Sequence, residues 1–173
     1  MTSPANGKKM KVRVEGNTLI LERVFDAPRT LTFQAFSTEQ HLKNWFGPKG
    51  WPITASTLDF RPGGSWHFCM KCQDGSEYHG QESWTKINYQ EIVEPERIVY
   101  VDGFSDPEGN VVEGMPQSRV TMSFFEQDGQ TRLVCETAYS KAEDVQKVLD
   151  MGMLEGIEST WDNLEEFLRN AQA

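Results

Sequence analysis

Ser65–His79 reads SWHFCMKCQDGSEYH and brings two cysteines and two histidines close together. As a string it offers a zinc site or a redox CxxC pair. As alternating residues it offers a β-strand, a turn and a second strand. Side chains alternate faces along a strand, so Trp66, Phe68, Met70 and Cys72 share one face while His67, Cys69 and Lys71 share the other. The first set is apolar and is expected to point inward.

The thiol and metal readings fail on geometry. CxxC thiols are activated at helix N-termini, and no helical pattern follows Cys72. Three strand steps hold the two cysteines roughly 10 Å apart, beyond the ~7 Å that a disulfide spans. Zinc needs four ligands converging on one point. If Asp74 and Gly75 close a two-residue hairpin loop, Cys72 pairs with Glu77 and the four candidates split between the faces. If Asp74–Ser76 close a three-residue loop, Tyr78, Gly80 and Trp84 join the Trp66 face, and His79 lies about 13 Å along the strand from His67. Neither register builds a metal site, so no metal is expected.

Working outward, residues 1–9 read as a mobile N-terminal leader and residues 10–173 as a single domain. KVRV alternates, EGN is a turn signal and TLILERVF is a strong β run. DAPRTLTFQAF reads as a short helix with Asp26 at its N-cap and Pro28 in its first turn. STEQHLKNWF reads as a second, with Ser37 and Gln40 spaced as a capping box. From Ile53 to Tyr139, strand-like runs alternate with turn signals at RPGG, QDG, EPE, SDPEGN and QDGQ.

Lys141–Asn170 reads as one long helix behind a Ser140/Glu143 capping box. Val145, Leu149, Met153, Ile157, Trp161, Leu164 and Leu168 form its buried stripe. Gly152 and Gly156 lie beside that stripe. Each costs about 1 kcal/mol relative to Ala in a helix interior, which points to close approach of the sheet or of a ligand, with a tolerated kink as the alternative. An antiparallel sheet needs its apolar face covered, and this helix is the element able to cover it. The expected fold class is α+β: a curved antiparallel sheet around a long C-terminal helix, with two short helices after the first strand.

Composition bounds the function. Seventeen basic against 26 acidic residues give a formal charge of −9, which argues against nucleic acid and anionic membrane surfaces as partners. No apolar run approaches a signal peptide or a membrane span, so a cytoplasmic location is expected. Three cysteines, an odd and sparse number, suit free thiols in a reducing compartment. Ten Phe, five Trp and four Tyr are enough rings to pack a core or to line an apolar cavity. GxSxG, HExxH, phosphate-loop and EF-hand patterns are absent. Asp59 and Arg61 flank the RPGG turn as a structural ion pair.

Four motifs in order carry a family resemblance: LERVFDAPRTLTFQAFSTEQHLKNWFGP, LDFRPGGSWHFCM, YQEIVEPERIVY and GIESTWDNLEEFL. Together they resemble the activator of heat-shock-protein ATPase homologue family of the START-like, or SRPBCC, superfamily, over nearly all of Leu19–Leu168. The resemblance implies a helix-grip fold and, for the superfamily, binding of apolar small molecules between sheet and helix without a cofactor. Some relatives are cyclases or hydrolases, and one branch stimulates a chaperone ATPase in stress response. Those co-chaperones carry a further N-terminal domain for which no room is expected here. The chain departs from the pattern at Phe46, where a second Trp is usual, and at Ile157, where the helix often carries Trp. Its EYHGQESWTKINYQ stretch is longer than usual.

The expectation is therefore an apolar small-molecule site lined by Trp45, Trp51, Trp66, Phe68, Met70, Tyr78, Trp84, Tyr100, Phe104, Met122, Phe124, Met153, Ile157 and Trp161. A chaperone partner is the alternative. An enzyme would need a polar group such as Asp59, Arg61, Glu82 or Asp102 projecting into the same cavity.

Overall fold

The computed structural model describes residues 9–172. The leader expected over residues 1–9 lies, apart from Lys9, outside them. Eight strands form one antiparallel sheet: β1 (Lys11–Glu15), β2 (Thr18–Phe25), β3 (Ile53–Leu58), β4 (Ser65–Lys71), β5 (Glu82–Val93), β6 (Arg97–Phe104), β7 (Gln117–Gln127) and β8 (Gln130–Tyr139). Their spatial order is β1-β2-β8-β7-β6-β5-β4-β3, so β2 crosses to pair with β8 while the remaining strands run as a meander. Register shifts in β5 between Tyr89 and Glu91, and in β3 between Ile53 and Ala55, are the kind of irregularity that bends a sheet.

Between β2 and β3 lie two short helices, α1 (Arg29–Gln34) and α2 (Glu39–Trp45). The KVRV segment ahead of β2 forms β1, an added edge strand. Both helix starts differ from expectation by a residue or more. Pro28, not Asp26, is the N-cap of α1. Thr38, not Ser37, caps α2, its hydroxyl accepting from the His41 N–H at 3.1 Å. The Ser37 hydroxyl is engaged elsewhere, donating to the Gln34 carbonyl at 2.8 Å.

The C-terminal stretch is two helices rather than one: α3 (Ala142–Asp150) and α4 (Met153–Ala171). Gly152 stands between them at φ +84°, in the left-handed region, which a helix interior cannot contain. A Cβ placed on Gly152 would meet nothing within 4 Å, and one on Gly156 would meet only Pro48 at 3.7 Å. Gly152 therefore serves the break, and neither glycine marks a close approach. Ser140 does not cap α3: its N-cap is Lys141, with no side-chain hydrogen bond.

Helix α4 lies on the concave face of the sheet. Trp161 meets Phe25 edge-on at 5.9 Å, and Leu164 and Leu168 are buried. The Arg23 side chain, 1% exposed on β2, reaches Asp162 at 2.9 Å and Glu165 at 3.0 Å on the helix. Lys9 adds a 2.8 Å contact to Glu165. Burial works to raise the Glu165 pKa, but the hydrogen bonds from Lys9 and Arg23 outweigh it and hold the carboxyl below its ordinary range.

Candidate functional site

Strand alternation builds the inner wall. On β4, Trp66 and Phe68 are buried with Met70 beside them, and the two rings stack at 3.9 Å. Phe46, just past α2, meets Trp66 at 4.9 Å and Phe68 at 5.3 Å, both edge-on. Trp45 is anchored by its indole N–H to the Ala35 carbonyl at 3.0 Å and lies 4.9 Å from Phe36. Turn glycine Gly64 starts the strand: a Cβ there would sit 2.1 Å from the Asp59 carbonyl oxygen, so only glycine lets the RPGG turn close against β4.

Between this wall, the sheet and α4 lies a cavity of about 270 Å³. A neighbouring hollow of about 380 Å³ runs toward Phe104, Pro116 and Val148. The two share Thr85, Tyr100, Asp102, Cys135, Met153 and Ile157, so they meet beside Asp102. Small-molecule pockets usually span about 300–1,000 Å³, and each hollow falls near the lower end of that range.

Nine of the expected residues line the first cavity: Trp45, Trp66, Phe68, Met70, Tyr100, Met122, Met153, Ile157 and Trp161. Phe104 lines the second. Trp51, Tyr78, Trp84 and Phe124 line neither. Phe124 is core, packed edge-on to Phe33 at 5.1 Å.

Tyr78 and Trp84 are displaced for a common reason. Strands β4 and β5 close with Lys71 paired to Glu82, so residues 72–81 form the connection, longer than either hairpin loop weighed above. Asp74 holds this loop, its Oδ1 accepting from the Ser76 N–H at 2.8 Å and from the Cys72 thiol at 3.1 Å. These bonds, led by those from Ser76, lower the Asp74 pKa to about 2. Tyr78 consequently sits on the loop, 53% exposed. Trp84 pairs with Cys69 and so points to the outer face, 5.1 Å from the His67 ring. Cys69, Cys72 and Cys135 are all buried free thiols.

The polar candidates separate cleanly. Arg61 and Asp59 pair at 2.9 Å on the exposed turn, and Glu82 accepts from the Trp84 indole N–H at 3.0 Å. Only Asp102, of these four, lines the cavity. It sits opposite Ile87 and Ser118 in the register, and the Ser118 hydroxyl donates to its Oδ1. Burial raises the Asp102 pKa, against the lowering effect of that hydrogen bond. Burial likewise raises the Tyr100 and Tyr139 hydroxyls and pushes the Cys135 thiol up to about 12. The Tyr100 hydroxyl is directed at Met122 Sδ at 3.8 Å and the Tyr139 hydroxyl at Met153 Sδ at 3.7 Å. The site is thus an aromatic and thioether hollow with one carboxyl group in its wall.

Solved structures share this architecture. A crystal structure of a protein from Mycobacterium smegmatis is 31% identical, with a TM-score of 0.81 over 92% of this chain and 94% of that one. A solution structure of a protein from Staphylococcus epidermidis is 27% identical, with a TM-score of 0.77 over 94% and 95%. A third, from Arthrobacter aurescens, is 23% identical and shows the fold alone, with a TM-score of 0.82 over 92% and 91%. No curated protein matches the sequence. Among the described residues, no helix is long and apolar enough to cross a membrane. The bent antiparallel sheet gripping α4 is the helix-grip fold, and residues 26–169 match the family model described as activator of Hsp90 ATPase homolog 1-like protein; the chain belongs to that family.

Proposed function

We propose that the protein binds an apolar small molecule in the cavity between the sheet and α4, as a single domain over residues 10–173 acting in the cytoplasm. The observation that carries this reading is the ring-lined hollow itself: stacked Trp66 and Phe68, with Phe46 against them, face Ile157 and Trp161 across about 270 Å³. A core built only for stability closes such space, because unfilled volume forfeits roughly 24 cal/mol per Å³. Free, buried thiols fit a reducing compartment.

The test is titration with the neutral fluorophore N-phenyl-1-naphthylamine. Saturable enhancement in the wild type, lost in the cavity-filling variant Ile157→Trp, supports the reading. No enhancement, or enhancement untouched by the variant, removes it.

The family match favours one second reading, a chaperone partner. It predicts capture of the chain by an Hsp90-type chaperone and stimulation of the chaperone's ATPase. Absence of both sinks it.

A further inference from the structure

Asp102 is out of place in the wall it belongs to. Among the described residues, it is the only charged side chain lining either hollow. Ser118 donates to its Oδ1 and the Asp102 backbone N–H also bonds the carboxyl group, while no donor from another described residue reaches Oδ2. Asp102 is half-buried in an apolar wall; a carboxylate so placed without a cation is costly, and the cost falls when a cation with hydrogen-bond donors reaches it. The titratable groups beside it, Tyr100, Tyr139 and Cys135, offer no positive charge, and burial keeps all three protonated.

Resting on the cavity-binding reading above, we propose that the ligand is a hydrophobic amine, its ammonium group seated on Asp102 and its apolar body against the Trp66/Phe68 wall. Four considerations select an amine over other apolar molecules. An alcohol can hydrogen-bond the carboxyl group but leaves its charge uncompensated. A carboxylic acid would place a second anion beside the first, and like charges so close disfavour binding. Aromatic faces attract cations, and Tyr100 and Tyr89 stand on the same face of the sheet, edge-on to one another at 6.1 Å. The formal charge of −9 also raises the local concentration of cations over anions.

The experiment is isothermal titration calorimetry at pH 7.5 with three probes of matched body: 2-naphthylmethylamine, 2-naphthylmethanol and 2-naphthoate. Wild-type protein binds the amine at least tenfold more tightly than the alcohol and does not bind the acid. Asp102→Asn, which keeps an acceptor for Ser118, erases the preference for the amine over the alcohol. Equal affinities for amine and alcohol, or a preference surviving in Asp102→Asn, overturn the amine anchor and leave cavity binding standing. Silence from all three probes overturns both.

A second measurement needs no variant. Acidification protonates Asp102 first among the groups facing it, since β5 and α4 contribute only Thr85, Ile87, Met153 and Ile157 there, β7 contributes Ser118, and the two tyrosines and Cys135 stay protonated. Amine affinity therefore falls several-fold from pH 7.5 to 4.5 while alcohol affinity stays level. An amine affinity independent of pH contradicts the proposal.

Discussion

Ser118 on β7 stands directly opposite Asp102 on β6, and its hydroxyl donates to the Asp102 carboxyl group where the two hollows meet. That hydrogen bond lowers the Asp102 pKa and burial raises it, with burial the larger effect. A charge set in an apolar wall is expected to cost stability, a pattern typical of functional sites.

Replacing that carboxyl tests the cost. A carboxyl whose native pKa is raised favours the folded state below its ordinary pKa, about 3.9. That advantage is lost as pH rises through the higher native value. Asp102→Asn has no such loss. Thermal unfolding should show the variant more stable than wild type at pH 7.5, with the gap shrinking toward pH 4. A variant less stable than wild type at both pH values would mean that the carboxylate is compensated by groups other than Ser118.

On the opposite flank, Arg23 reaches Glu165 at 3.0 Å and clamps α4 to β2. Glu165→Ala leaves a guanidinium that is 1% exposed with Asp162 as its remaining partner. Losing one charged hydrogen bond of a partly buried pair in this way costs about 2 kcal/mol, measurable by urea denaturation. Because the Glu165 pKa is lowered, its contribution is present above the ordinary glutamate pKa and lost as pH falls through the native one. The gap between wild type and variant should narrow in acid. A cost below about 0.5 kcal/mol at pH 7 would show that the clamp is a surface pair in effect.

Gly152 separates two accounts of the C-terminal stretch. Inside a continuous helix, Gly152→Ala gains about 1 kcal/mol. At φ +84° it instead costs about 1 kcal/mol, because a Cβ is strained in the left-handed region. The sign of the change in denaturation midpoint decides between them, and a loss is expected.

These cases show what a sequence carries. Trp66, Phe68 and Met70 were legible as an inward-facing set because strand alternation has a period of two. The long stripe of α4 was legible because helical spacing repeats. At Gly152 a kink was the lesser reading and a full break was not legible, since Leu149 and Met153 keep a spacing of four across it. Tyr78 and Trp84 were misplaced because the β4–β5 connection is set by the Asp74 side chain, and alternation cannot count through a loop. Arg23 left no local signal at all: its partner Glu165 is 142 residues away. Asp102 was one polar candidate among four, and only register placed it in the cavity.

Native mass spectrometry of protein purified from its own host, beside Ile157→Trp prepared identically, tests cavity binding most directly. Wild-type protein is expected to carry a stoichiometric small-molecule adduct that the filled variant lacks. Identical adduct-free masses for both, with no uptake on adding N-phenyl-1-naphthylamine, would contradict it.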